Sequence, residues 1–263
     1  VREDGYSAEE RKDAFVMETQ IELEILPQPD DTTCGPTCLH AIYRFYGEDL
    51  SLEDVIREVP ALEDGGTLAV LLGTHALLRG YDAHIYTYNL QIFDPTWFTP
   101  NAPDIRETLR ARIKHKSSPR MAHACEAYIQ FLGLGGQLHF EDLTTGLIRK
   151  YLNRGIPILT GLSATYLYRT MREFGPRMIA DSVRGDPQGH FVLLCGYDKE
   201  NREVAVADPM QCNPIANSCN YVIGIDRVLC SILLGIITHD ANLLIIEPRK
   251  ESKAARHADH HRR

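Results

Sequence analysis

The stretch that decides the fold runs from Gln28 to Gly47, QPDDTTCGPTCLHAIYRFYG. Its first half is turn chemistry: Pro29, two aspartates, two threonines, then Cys-Gly-Pro. Its second half, Thr37 to Tyr46, carries apolar residues at helical spacing, and Gly47 follows as a helix-stop signal. The pattern predicts a buried helix with Cys34 at, or within a residue or two of, its start. Pro36 is tolerated there, because the N–H groups of a first helical turn have no intrahelical partner. A thiol in that position feels the positive end of the peptide dipoles, which favours the thiolate form. Gln28, six residues upstream, can turn its amide back toward the same helix end. With the Cys34 backbone N–H it would supply two donors for an oxyanion.

A nucleophile needs a base, and eleven histidines compete for the role. His190 stands out through the hairpin that it introduces. Phe191–Tyr197 (FVLLCGY) and Glu203–Ala207 (EVAVA) read as strands joined by the polar turn DKENR. Facing residues of an antiparallel pair have a constant number sum, and a turn centred near Lys199 gives about 398. His190 and Asp208 meet that sum, so they are expected to face each other across adjacent strands. Asp208 would then fix one ring nitrogen and leave the other for Cys34.

Outward from this pair, the remaining signals give an α+β order. IELEIL alternates within a strand expected over Gln20–Leu26. Helices are expected over Ser51–Val59, opened by a capping Ser51, and over Thr67–Arg79, ended by Gly80. A β-rich pair, Asp82–Tyr88 and Gln91–Phe93, precedes a Pro-rich stretch and a helical region over 104–132. Glu141–Asn153 reads as a helix and Pro157–Leu162 as a buried strand; Ala164–Gly189 has no clean periodicity. Asp226 can cap a helix through about Thr238, before a closing strand at Asn242–Ile246. Residues 1–20 read as a polar extension, and 248–263, with His257, His260 and His261, as a solvated, disordered tail.

Composition narrows the function classes. The 263 residues suit one domain, and 28 Lys+Arg against 36 Asp+Glu, a net charge of -8, give no footprint for nucleic acid. Seven cysteines, an odd number, form no disulfide framework. Cys34 and Cys38 lack the second pair that a zinc site requires, and nothing calls for a metal or other cofactor. The N-terminus has no apolar signal-peptide core, and the apolar run Val228–Ile237 is too short to cross a bilayer. A cytoplasmic protein without a membrane partner is expected. Cys38, Cys125, Cys195 and Cys230 read as core; Cys212 and Cys219 share a loop, with their pairing left open. Trp97 reads as a packing anchor.

Gln-x5-Cys-Gly-Pro-Thr, a helix ending in Tyr-Gly, and the late Gly-His-Phe-Val, Gly-Tyr-Asp and Ala-Asp-Pro together resemble the C39 peptidases, papain-like cysteine peptidases. GTLAVLLGTHALLRGYDAHIY at 66–86 and GIPILTGL at 155–162 resemble the middle section of that family. The likeness runs from Gln28 to Ile246, with 87–140 and 163–187 lacking a counterpart. It implies one papain-like domain over 21–247, its N-terminal helix packed on a C-terminal antiparallel sheet, with insertions near 95–135 and 163–187. It also implies Cys34 as nucleophile, His190 as general base and acid, Asp208 as its orienter and Gln28 as oxyanion donor. The activity implied is a cysteine peptidase or amidase working through a Cys34 thioester. An acyltransferase or transpeptidase with the same site, or a non-catalytic peptide-binding module, are the alternatives. No exporter segment follows, so the chain resembles the stand-alone cytosolic group, some of whose members accompany peptide-forming ligases. That would imply a peptide or modified-peptide substrate and a partner in a peptide-ligase pathway. Specificity for a double-glycine leader is not carried over, because the insertions can reshape the cleft.

Overall fold

The helix expected after the TTCGP turn begins at Cys34 itself and runs to Phe45 (α1). Its first ten residues, Cys34 to Tyr43, are all buried, so neighbours enclose it on every side. Gly47, at φ +86°, lets the chain reverse, and the N–H groups of Gly47 and Glu48 close onto the last carbonyls of the helix. Leu52–Glu58 (α2) is capped as its sequence suggests, Ser51 Oγ accepting from the Asp54 N–H at 3.1 Å. A Ser51→Ala protein should lose about 1 kcal/mol, read as a lower urea midpoint with an unchanged slope.

The computed structural model describes residues 19–62, 65–115, 118–238 and 240–249. Most of the expected N-terminal extension, and the tail from residue 250 with its histidines, lie outside these. Besides α1 and α2, the chain forms β1 (Thr19–Gln20), α3 (Ala69–Leu78), β2 (Tyr81–Thr87), α4 (Ile105–His115), α5 (Pro119–Gly133), β3 (Gln137–His139) and α6 (Thr145–Leu152). Then follow β4 (Ile158–Ser163), α7 (Ala164–Tyr168), β5 (Glu173–Phe174), β6 (Ile179–Ala180), β7 (Gly189–Asp198) and β8 (Glu203–Ala207). β9 (Asn220–Gly224), α8 (Ile225–Leu234) and β10 (Asn242–Pro248) complete the order.

The main sheet runs β3-β2-β10-β4-β7-β8-β9, antiparallel except for the parallel β2–β3 pair. It is therefore mixed, and its middle is built from both halves of the chain, with β10 between β2 and β4. β4 is buried at every residue and β7 at all but Gly189, so both faces of this region are covered. α1 and α6 pack on β7, α3 on β2 and β10, and α8 on β4. β9 alternates, Tyr221 and Ile223 inward with Asn220 and Val222 outward, as an edge with one wet face does. No helix among the described residues is long and apolar enough to cross a membrane.

Several expectations need correction. The strand expected over 20–26 is only two residues long, because β1 pairs with Tyr197 and Gly196 and the next positions on that edge of β7 belong to β4. Ile21 and Ile25 are still buried and Glu22 and Glu24 exposed, so the alternation survives without the ladder. Gln91–Phe93 is a turn, with Asn89 Oδ1 accepting from the Gln91 N–H. The helical region over 104–132 is two helices, the second opened by Ser118 and Pro119. Cys230 is exposed on α8, not core. Cys125 and Cys195 are buried, and all seven cysteines are free thiols. Trp97 packs edge-on against Phe93.

Candidate active site

Cys34 occupies the first residue of α1 and is 8% exposed. The glycine that follows has a packing reason: a Cβ at Gly35 would come 2.7 Å from Thr67 Cγ2 and 3.2 Å from the Phe191 ring. The helix mouth is thus pressed against β7, one residue from His190. One turn further, the Cys38 thiol donates to the Phe191 carbonyl at 3.3 Å, pinning α1 to the same strand. Burial, followed by the neighbouring Cys34 and Asp208 charges, pushes the Cys38 pKa well up, so this thiol stays neutral.

His190 Nε2 donates to Asp208 Oδ1 at 2.8 Å, both groups being buried. The expected pairing is present, but the register differs. Facing numbers sum to 401 beside the turn and to 400 beyond a bulge at Cys195. That sets Asp208, just past the end of β8, level with Val192, and His190 reaches it on the diagonal. His190 and Cys34 line the same cavity, and Cys34 is near enough to act on the charge of the His190 ring. With Nε2 taken by Asp208, Nδ1 is the ring nitrogen left for another partner.

Asp208 is fully buried and accepts from four donors. Its Oδ1 takes His190 Nε2 and the Met210 N–H at 2.9 Å; its Oδ2 takes Tyr168 Oη at 2.7 Å and Tyr221 Oη at 2.8 Å. Neither tyrosine was legible in the sequence as part of the site. Tyr221 lies on β9, whose five alternating residues are too short a run to mark a strand, and Tyr168 ends a helix with no periodic signal. Burial works against the Asp208 carboxylate, yet the His190 hydrogen bond and charge, then Met210 and Tyr168, hold its pKa below the ordinary value. Burial and the Asp208 charge raise both phenols far above theirs, so they remain donors. Burial alone would push His190 down. The hydrogen bond to Asp208 and the nearness of Cys34 push it up to about 10 instead. The buried Asp208 carboxylate beside it thus favours the imidazolium form.

Gln28 is tied to the loop after Asp208 by its backbone N–H, which donates to the Pro209 carbonyl at 2.9 Å. Its side-chain Nε2 donates to the Asp30 carbonyl, also at 2.9 Å. One of the two amide N–H groups is thus used within the turn leading into α1, leaving one for a ligand. Two cavities adjoin here. One, of about 400 Å³, is lined by Cys34, Thr67, His190 and Asp240. The other, of about 550 Å³, is lined by Gln28, Tyr168, His190 and Met210. They share Asp31, Met178, Gln188 and His190, so the histidine stands between them.

The peptidase C39-like family model matches residues 14–218. The chain belongs to that family. Two solved structures are similar to this C39-like chain. A double-glycine-motif protease from an AMS/PCAT transporter, in complex with the leader peptide, is 13% identical, with 88% of this chain and 96% of that one covered and a TM-score of 0.42. The peptidase domain of Streptococcus ComA, a bi-functional ABC transporter involved in quorum sensing, is 13% identical, with 87% and 100% covered and a TM-score of 0.40. No curated protein matches the chain.

Proposed function

We propose that this protein is a cysteine peptidase or amidase acting through a Cys34 thioester. The observation that carries the reading is Cys34 at the mouth of α1, lining one cavity with His190, whose Nε2 is hydrogen-bonded to the buried Asp208. The Cys34 thiolate attacks the amide carbonyl, forming the Sγ–C bond and placing negative charge on oxygen. The backbone N–H of Cys34 and the spare N–H of Gln28 would receive that charge. As the C–N bond breaks, Nδ1 of the His190 imidazolium gives its proton to the leaving amine. Water, deprotonated by the now neutral His190, then hydrolyses the thioester and restores the thiolate. Asp208 is a positioning residue: it keeps the proton on Nε2 and turns Nδ1 toward sulfur.

The family suggests a peptide as substrate. We read 21–247 as one catalytic domain whose segments near 95–135 and 163–187 are insertions walling the groove, since Arg120 of α5 lines one cavity and Met178 of the β5–β6 turn lines both. The free thiols, with Cys212 and Cys230 exposed, suit a reducing compartment such as the cytoplasm. Iodoacetamide at neutral pH should label Cys34 first and abolish cleavage of a mixed peptide pool, with Cys34→Ala losing both the fast labelling and the cleavage. Equal labelling of the two proteins would sink the activated nucleophile. Cleavage surviving in Cys34→Ala would sink the peptidase.

A further inference from the structure

The two halves of the groove differ in chemistry. The half that Cys34 lines is mixed, with Thr32, Arg120, Thr238 and Asp240 in its walls beside Leu62, Phe191 and Ile237. The half beyond His190 gathers Met171, Met178 and Met210, three of the five methionines in the chain. Met171 and Met178 belong to the loop and hairpin after α7 and are 57% and 46% exposed. Tyr168 adds an aromatic face rather than a hydroxyl, because its Oη is committed to Asp208. Charged neighbours share this wall: Asp31 and Arg169 are exposed, as Met171 and Met178 are, and Glu173 is half-buried. Apolar side chains held in water beside a groove gain from whatever covers them, roughly 10- to 100-fold in an equilibrium for one large side chain. The unbranched thioether also adapts to several shapes.

The nucleophile sets the direction, so this step rests on Cys34 as proposed above. The acyl group becomes bonded to Sγ and stays in the cavity that Cys34 lines. The amine departs toward the cavity that touches His190, its proton donor, but not Cys34. We propose that the methionine-lined cavity of about 550 Å³ is the leaving-side subsite, selecting a large apolar side chain on the residue whose amine is released. Met178, lining both cavities, marks the boundary between the two.

The test uses full-length Cys34→Ala protein and acetyl-Ala-Ala-Xaa-Ala-amide peptides, with Phe, Leu, Gly or Asp at Xaa, titrated calorimetrically. The Phe and Leu peptides should bind about tenfold tighter than the Gly and Asp peptides. In the Met171→Ala/Met178→Ala background the four should fall within about threefold of one another, and Met178→Gln should weaken the preference at equal side-chain length. Both methionines are exposed, so these changes leave the fold intact. Equal affinity for all four, no binding by any, or a preference surviving in the double variant overturns the subsite. In the wild type, cleavage should fall on the N-terminal side of Xaa, and cleavage after Xaa overturns the assignment of flank. The binding step needs no turnover, so a wild type that cleaves nothing would defeat the peptidase reading while the binding result stood.

Discussion

An Asp208→Ala protein is expected to lose about 3–5 kcal/mol of stability, with a fall in Tm on the order of 10 °C. The size follows from what the carboxylate holds. His190 Nε2, two tyrosine hydroxyls and the Met210 N–H all end on it, in a place with no exposed surface. Truncation leaves four donors, the buried His190 ring among them, without this acceptor. Asp208→Asn preserves shape and should cost less stability, but it removes the charge that stabilises the imidazolium. Peptide cleavage by that variant should drop roughly 10²-fold or more. Its pH–rate profile should also lose activity at a lower alkaline pH than the wild type, which a purely structural role would not produce. Cleavage within a factor of a few of wild type, with an unmoved profile, would remove Asp208 from the mechanism.

The second large effect concerns pH. His190 has a folded pKa of about 10, against roughly 6.5 for an unperturbed histidine. A pKa raised by folding contributes stability that is complete below about 6.5 and is lost as pH rises through about 10. The same contact seen from Asp208, whose pKa is lowered, contributes above the ordinary carboxylate range and fades in acid. The difference in urea midpoint between wild type and His190→Gln should therefore be greatest between about pH 5 and 6.5 and shrink steadily toward pH 10. Taking the difference cancels Asp240. Burial there raises a carboxylate to about 7, against the Ala69 N–H, so its own unfavourable ionisation grows between about pH 4 and 7 in both proteins. A wild-type advantage that stayed flat from pH 6 to 10 would refute the raised histidine.

Local signals carried much of this. The CGP turn located the candidate nucleophile because three constraints meet there: Pro36 fits a first helical turn, Gly35 has no room for a Cβ, and Cys34 is left at the mouth. Gly47 and Gly80 both marked helix ends, where each adopts a positive φ. The stretch over 164–189 was opaque for a stated reason. Its reversals at Arg169 (φ 56°) and Met178 (φ 47°) use residues that give no glycine-like signal. The β7–β8 register was legible only to within two residues, since the turn centres later than Lys199 and a bulge at Cys195 gives one position back.

What the sequence determined by itself was the α+β order and the family resemblance, and it singled out Cys34, His190, Asp208 and Gln28 as candidates, because each is announced by neighbours along the chain. What only the tertiary structure decided was the company these residues keep. Tyr168 and Tyr221 stand 40 and 13 positions from Asp208, and no local pattern links a phenol to a carboxylate on another strand. Packing does so. A buried charge must find donors wherever the fold brings them, and here it found them on α7, β7, β9 and the Pro209 turn.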